Sequence, residues 1–192
     1  MNPGPVQTSV PHCSRWTAVL ARWRRPDAEH PAAGDGERLH PGLIAQPVNT
    51  VSSAAYLLAA ARIRPGTGAS ATGTAMCLAL AANGLGSMGF HGPGDRFSHA
   101  LHNLSLAALV AIAATDIGTV IGRRPAVLTR LVGPMSLLGI GALINTRSRT
   151  GGTWCRPDAL LQGHALWHLI SAAALSVLPG RTSRPEPARV GK

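Results

Sequence analysis

The 192-residue chain carries little charge: 14% of its residues are Asp, Glu, Lys or Arg, and 8 acids stand against 18 bases. Lysine is almost missing, since every cation except Lys192 is an arginine. Aromatic residues make up only 4%, and the arginines flank apolar runs instead of alternating with aromatics along one face. That pattern speaks against a nucleic-acid binder. Arginines at the edges of apolar runs suit a membrane interface near anionic headgroups. The cysteines are Cys13, Cys77 and Cys155. Their number is odd and no pair has metal-ligand spacing, so neither a cysteine metal site nor a disulfide framework is expected. Cys77 lies in an apolar run and reads as a small buried thiol. A secretory signal is not apparent: "WTAVLA" is shorter than a signal h-region and "RWRR" follows it closely.

Long apolar windows are what the chain does have. A spanning helix needs about 20 mostly apolar residues. Windows 43–61 and 159–178 hold no charged residue, 69–91 holds no acid, lysine or arginine, 97–122 holds Asp116, and 126–145 holds Arg130. The expected fold is all-α, a polytopic membrane helix bundle with about five transmembrane helices. The expected organisation is a mobile N-terminal arm over 1–40 with a short amphipathic helix near 16–24, a transmembrane domain over 41–179, and a disordered tail over 180–192. "GLGSMG" and "GPMSLLGIGA" place small residues where membrane helices approach closely. Pro47 and Pro134 sit inside apolar windows, where neighbouring helices accommodate the kinks. The arginines on the two sides roughly balance, so the positive-inside rule does not set an orientation.

Polar residues in such windows are costly and face the bundle interior. Here they fall at helical spacing. Asn49, Ser52, Ser53 and Tyr56 form one stripe, Asn83, Ser87 and His91 a second, and His164 and His168 a third. In a five-helix alternating path, the end of the second helix and the starts of the first, third and fifth lie on one membrane side. His91, His164 and His168 can therefore converge at similar depth. Three neutral imidazoles form a metal site of the catalytic type, with three protein ligands and an open position. Two at i and i+4 share a helix face, as in zinc sites. Hydrogen bonding of the histidines to interior Ser or backbone groups is the plainer alternative. Haem ligation is a third, though an i, i+4 pair is not an axial arrangement. Asp116 lies too far along its helix to act with the histidines.

"QPVNTVSSAAYL" (46–57), "GSMGFHGP" (86–93) and "HALWHLISA" (164–172), in that order on apolar helices, resemble the alkaline ceramidases and the wider CREST superfamily of membrane hydrolases. The resemblance covers about 40–178. It implies an integral-membrane, zinc-dependent hydrolase that cleaves the amide bond of a ceramide-like lipid. It assigns zinc to His91, His164 and His168, and Ser87 to the oxyanion or the water. Zinc in such a site activates water and polarises the scissile carbonyl, and a hydrogen-bond donor stabilises the developing charge. Asp35 and Glu37 in "GDGERL" resemble part of the family's acidic calcium site, making calcium a second expected cofactor. Three departures stand out. Asn103 in "SHALHNLSL" occupies the place of the family's aspartate, leaving His102 or Asp95 to take its role or leaving a catalytically silent, lipid-binding or receptor-like protein. Gln46 stands where relatives can have a glutamate. Too few positions separate Asn103 from His164 for the three helices of a seven-helix ceramidase, so the chain reads as a shortened member, bacterial and in the plasma membrane.

Overall fold

A computed structural model describes residues 30–63, 70–123 and 128–178. The described residues are helical and contain no strand: α1 (Pro47–Ser52), α2 (Ala54–Ile63), α3 (Ala71–His91), α4 (Arg96–Arg123), α5 (Thr129–Ser148) and α6 (Gly163–Ser176). The all-α expectation holds. The helix expected near 16–24 and the tail over 180–192 lie outside the described residues.

Local chemistry sets the helix ends. Pro47 opens α1, where its missing N–H costs nothing. Glu37 closes the same end from a distance, its two carboxylate oxygens accepting from Val48 N and Asn49 N at 2.8 Å each. The first apolar window forms two helices because Ser52 Oγ and Ser53 Oγ both donate to Asn49 O, at 3.0 and 2.7 Å. Such side-chain bonds compete with the helical ladder. Ser70 Oγ caps α3 by accepting from Gly73 N. Asp95 caps α4, accepting from Ser98 N at 2.9 Å and Ser98 Oγ at 2.7 Å.

Around the bundle, α4 packs on α3, α3 on α2, α2 on α6, and α6 on α5. The α3–α4 contact is the most extensive. A Cβ at Gly86 would stand 2.7 Å from the backbone nitrogen of His102. At the end away from α1, Tyr56, Met76, Leu80, Leu109, Leu131, Leu175 and Leu178 form an apolar core. Toward the other end the interior turns polar: Gln46, Asn49, Ser53, Asn83, Ser87, His91 and His168 are all buried. The outer surface is the reverse, with Leu58 72% and Leu104 71% exposed, and Val110, Val132 and Ile140 at least half exposed. Among the described residues, one helix, α4 through Arg96–Thr119, is long and apolar enough to cross a membrane.

Two expectations change. Residues 30–40 are not part of a loose arm. Ala32, Asp35 and Glu37 are buried, and the segment crosses the polar end of the bundle. Thr150 N donates to Gly34 O at 3.1 Å, Thr150 Oγ1 to Ala33 O at 2.9 Å, and Arg38 N to Pro157 O at 3.0 Å. Gly36 adopts φ 86° against the carbonyl of Ser148, a contact that leaves no room for a side chain. Such a segment has no hydrophobic period because hydrogen bonds to residues distant in sequence, not an apolar face, hold it. Cys155 is disulfide-bonded while Cys77 is free. An odd cysteine count argues against a fully paired set but leaves room for one bond.

The α3–α4 seam gives a direct test. Gly86→Ala should destabilise the protein by about 1–3 kcal/mol through overpacking against the α4 backbone. Gly139→Ala, where a Cβ meets nothing within 4 Å, carries the same gain in helix propensity without the clash. Thermal unfolding should therefore show a lower midpoint for the first variant and an unchanged or higher one for the second.

Candidate metal centre

His91 ends α3, and His164 and His168 lie one turn apart at the start of α6. Inside the bundle His164 packs edge-on against both other rings, and His91 and His168 are tilted against each other. Centroids are 4.9 Å apart for His91–His164, 5.2 Å for His91–His168 and 4.6 Å for His164–His168. One ring nitrogen from each lies within 4.8 Å of the others, so the three could hold a metal ion.

The other nitrogens are engaged. His91 Nδ1 lies 2.7 Å from Gln46 Oε1. His164 Nδ1 lies 2.8 Å from Asn145 Oδ1, with Asp35 Oδ1 at 3.7 Å. His168 Nδ1 lies 2.9 Å from Ser52 Oγ. Since Ser52 donates its own proton to Asn49 O, its oxygen accepts from His168. Each Nδ1 thus faces an oxygen, which leaves each Nε2 as the lone pair toward the shared space. His91 Nε2 is buried without a hydrogen-bond partner among the described residues. Outer partners of this kind, which set tautomer and ring orientation, accompany metal-binding histidines. An imidazole donor set suits zinc, copper, nickel or iron. The same contacts exclude an axial haem pair among these three rings, because no porphyrin fits between centroids about 5 Å apart.

Ser87 is fully buried beside the rings. Its Oγ lies 2.9 Å from Ser53 Oγ and 3.5 Å from His168 Nε2. Because Ser53 donates to Asn49 O, Ser87 donates to Ser53 in this arrangement. From α4 it is His102 that faces the cluster. Its ring stacks on Phe90 at 4.8 Å and stands 6.5 Å from His91, and its buried Nδ1 has no partner among the described residues. Asn103, the next residue of α4, is exposed. One step along a helix rotates a side chain by about 100°, so the two neighbours cannot both face inward. Asp95 is committed to capping α4 and is exposed.

The two acids assigned to calcium have other partners. Glu37 binds the amino end of α1. Asp35 sits 3.4 Å from Arg149 Nη2 and beside His164. Burial pushes its carboxyl up to about 6, against the lowering pull of Arg149, His102 and His30. Neither belongs to the group that could hold a metal ion. Asp116 lies far along α4, buried, with Oδ2 unpartnered among the described residues.

Asn145 and Arg149 are the residues that sequence reasoning passed over in the site, and Gln46 was marked only for standing where relatives can have a glutamate. For Asn145 a signal existed: it ends the fourth apolar window, and an alternating helix path puts that end beside the start of the fifth window, where His164 and His168 lie. In comparisons with known proteins, the chain matches no family model, no curated protein and no solved structure.

Glu37 allows a stability test. Two hydrogen bonds to a buried carboxylate at a helix start should make Glu37→Ala cost about 3 kcal/mol, and Glu37→Gln, which keeps one acceptor oxygen, distinctly less. Denaturant unfolding of the two variants under the same conditions measures the difference.

Proposed function

We propose that this protein is an integral-membrane, zinc-dependent hydrolase that cleaves an amide bond in a ceramide-like lipid. The observation that carries the proposal is the convergence of His91, His164 and His168 with every Nδ1 turned to an oxygen partner. The polar interior and apolar exterior support placement in a bilayer, where polar groups turn inward. A groove of about 710 Å³ between α1–α2 and α6 supports a lipid substrate. Val51, Leu58, Leu161 and Leu169 line it, together with Ser52. Ser52 links this groove to the centre through its bond to His168.

Zinc held by the three histidines supplies Lewis acidity toward a carbonyl and toward water. The remaining work falls to the chain. Ser52, Gln46 and Asn145 keep the three rings in register. Ser87, by rotating its hydroxyl away from Ser53, becomes a donor for a developing oxyanion. His102 takes the proton-accepting role that the resemblance gives to an acid on this helix, its neutral Nδ1 being buried and open. A second reading, a zinc-holding protein that binds lipid without turning it over, is favoured by one observation: α4 presents an imidazole and not a carboxylate to the cluster.

Purified protein should carry about one zinc per chain, and His164→Ala should lose it. Metal-free wild type, prepared without chelators, would overturn the proposal. Fatty-acid release from ceramides by the detergent-solubilised protein separates the two readings. For the hydrolase, His102→Ala should retain zinc and lose about 10²–10⁴-fold in turnover, while Asn103→Ala should change little. Zinc without turnover of any acylated amino lipid establishes the silent reading.

A further inference from the structure

We infer that Gln46 is a positioning residue: it selects the tautomer of His91 and couples that choice to the docking of the segment over 30–37. Gln46 is fully buried immediately before α1. Its Nε2 donates to Ala32 O at 2.9 Å and to Glu37 O at 3.0 Å. Both partners are carbonyl oxygens, which only accept, so the amide cannot be turned the other way. Its Oε1 therefore faces His91 Nδ1 at 2.7 Å and Asn49 Nδ2 at 3.2 Å. Two donor hydrogens and two lone pairs are all engaged, so the amide has one orientation and no free position.

That orientation determines the ring. An oxygen opposite Nδ1 requires Nδ1 to carry the proton, which leaves Nε2 as a bare lone pair. Nε2 is the buried nitrogen that lacks a partner among the described residues. The backbone adds a second tie between the same elements, Gln46 N donating to His91 O at 2.9 Å. Gln46 is thus joined at once to the covering segment, to α1 and to the end of α3. Undocking the segment frees the Nε2 hydrogens of Gln46, and the amide is then able to turn and offer His91 a donor, which favours the opposite tautomer. The covering segment and the inward lone pair of His91 are two ends of one side chain.

Two substitutions separate the halves of this role. Gln46→Glu keeps an acceptor for His91 but sets a carboxylate against the carbonyls of Ala32 and Glu37. Gln46→Leu removes both functions. The full chain in micelles, labelled with ¹⁵N-histidine and free of metal, reports the His91 tautomer directly by NMR. Wild type and Gln46→Glu should show the Nδ1–H form; Gln46→Leu should lose it. Zinc affinity by chelator competition should fall about 10- to 100-fold in Gln46→Leu, the usual effect of losing an outer partner, and stay within about threefold of wild type in Gln46→Glu. Cleavage after Arg38 by an arginine-specific protease should accelerate in both variants. A retained Nδ1–H form in Gln46→Leu overturns the inference. If that variant does not fold, Gln46→Glu still decides: unaltered cleavage after Arg38, or a switched tautomer, overturns it. The inference uses the metal reading only for the affinity measurement. A wild type that takes up no zinc refutes the metal reading, and the tautomer and cleavage results then decide this one.

Discussion

A neutral imidazole has one N–H and one lone pair, and three such rings meet inside this bundle with centroids 4.6–5.2 Å apart. Each Nδ1 faces outward to an oxygen of Gln46, Asn145 or Ser52. Three lone pairs then share one small, buried space. Like dipoles in a low-dielectric interior repel unless something positive or proton-donating lies among them. Much of the polar end of the molecule follows from supporting this arrangement. The acceptors come from α5 and from the two ends of α1, and each needs support of its own. Glu37 holds α1, Asn49 O collects the protons of Ser52 and Ser53, and carbonyls of the covering segment hold Gln46.

The support is mostly electrically neutral. Two amides and a hydroxyl stand behind the three rings, and the carboxylate beside His164, that of Asp35, is offset by Arg149. A cation bound by neutral ligands with neutral outer partners keeps its charge for whatever occupies the open position. Ser87 and His102 border the same space from α3 and α4. His102 owes its place to packing rather than to hydrogen bonding. The missing side chain at Gly86 lets the α4 backbone close in, and Phe90 stacks on the imidazole.

The pairing of a polar interior with an apolar exterior explains why the helices can be so poor in large core residues. The apolar core is confined to one end, where Met76, Leu80, Leu109 and Leu131 meet. Beyond it hydrogen bonds between helices take over, beginning at the edge of the core with Tyr56–Ser171 at 2.7 Å and continuing to Ser53–Ser87 at 2.9 Å. Their net worth depends on exclusion of water, which apolar surroundings provide.

Helical content, the stripe from Asn83 to His91 and the pair His164–His168 could be read from the sequence, because spacing of three and four residues maps onto one helix face whatever the neighbours do. Alternation of the helices also placed the three histidines at one end. Which α4 residue meets them could not be read, since His102 and Asn103 differ by one step and the choice rests on how closely α3 and α4 approach at Gly86. Nor could the roles of Gln46, Asp35 and Glu37, which lie in or beside a segment without period and are defined by partners distant in sequence, Arg149 among them. Periodicity is a property of one element and survives in the sequence alone. Rotation of one helix against another, and the docking of an irregular segment over both, arise only when side chains from different elements compete for the same space and the same hydrogen bonds.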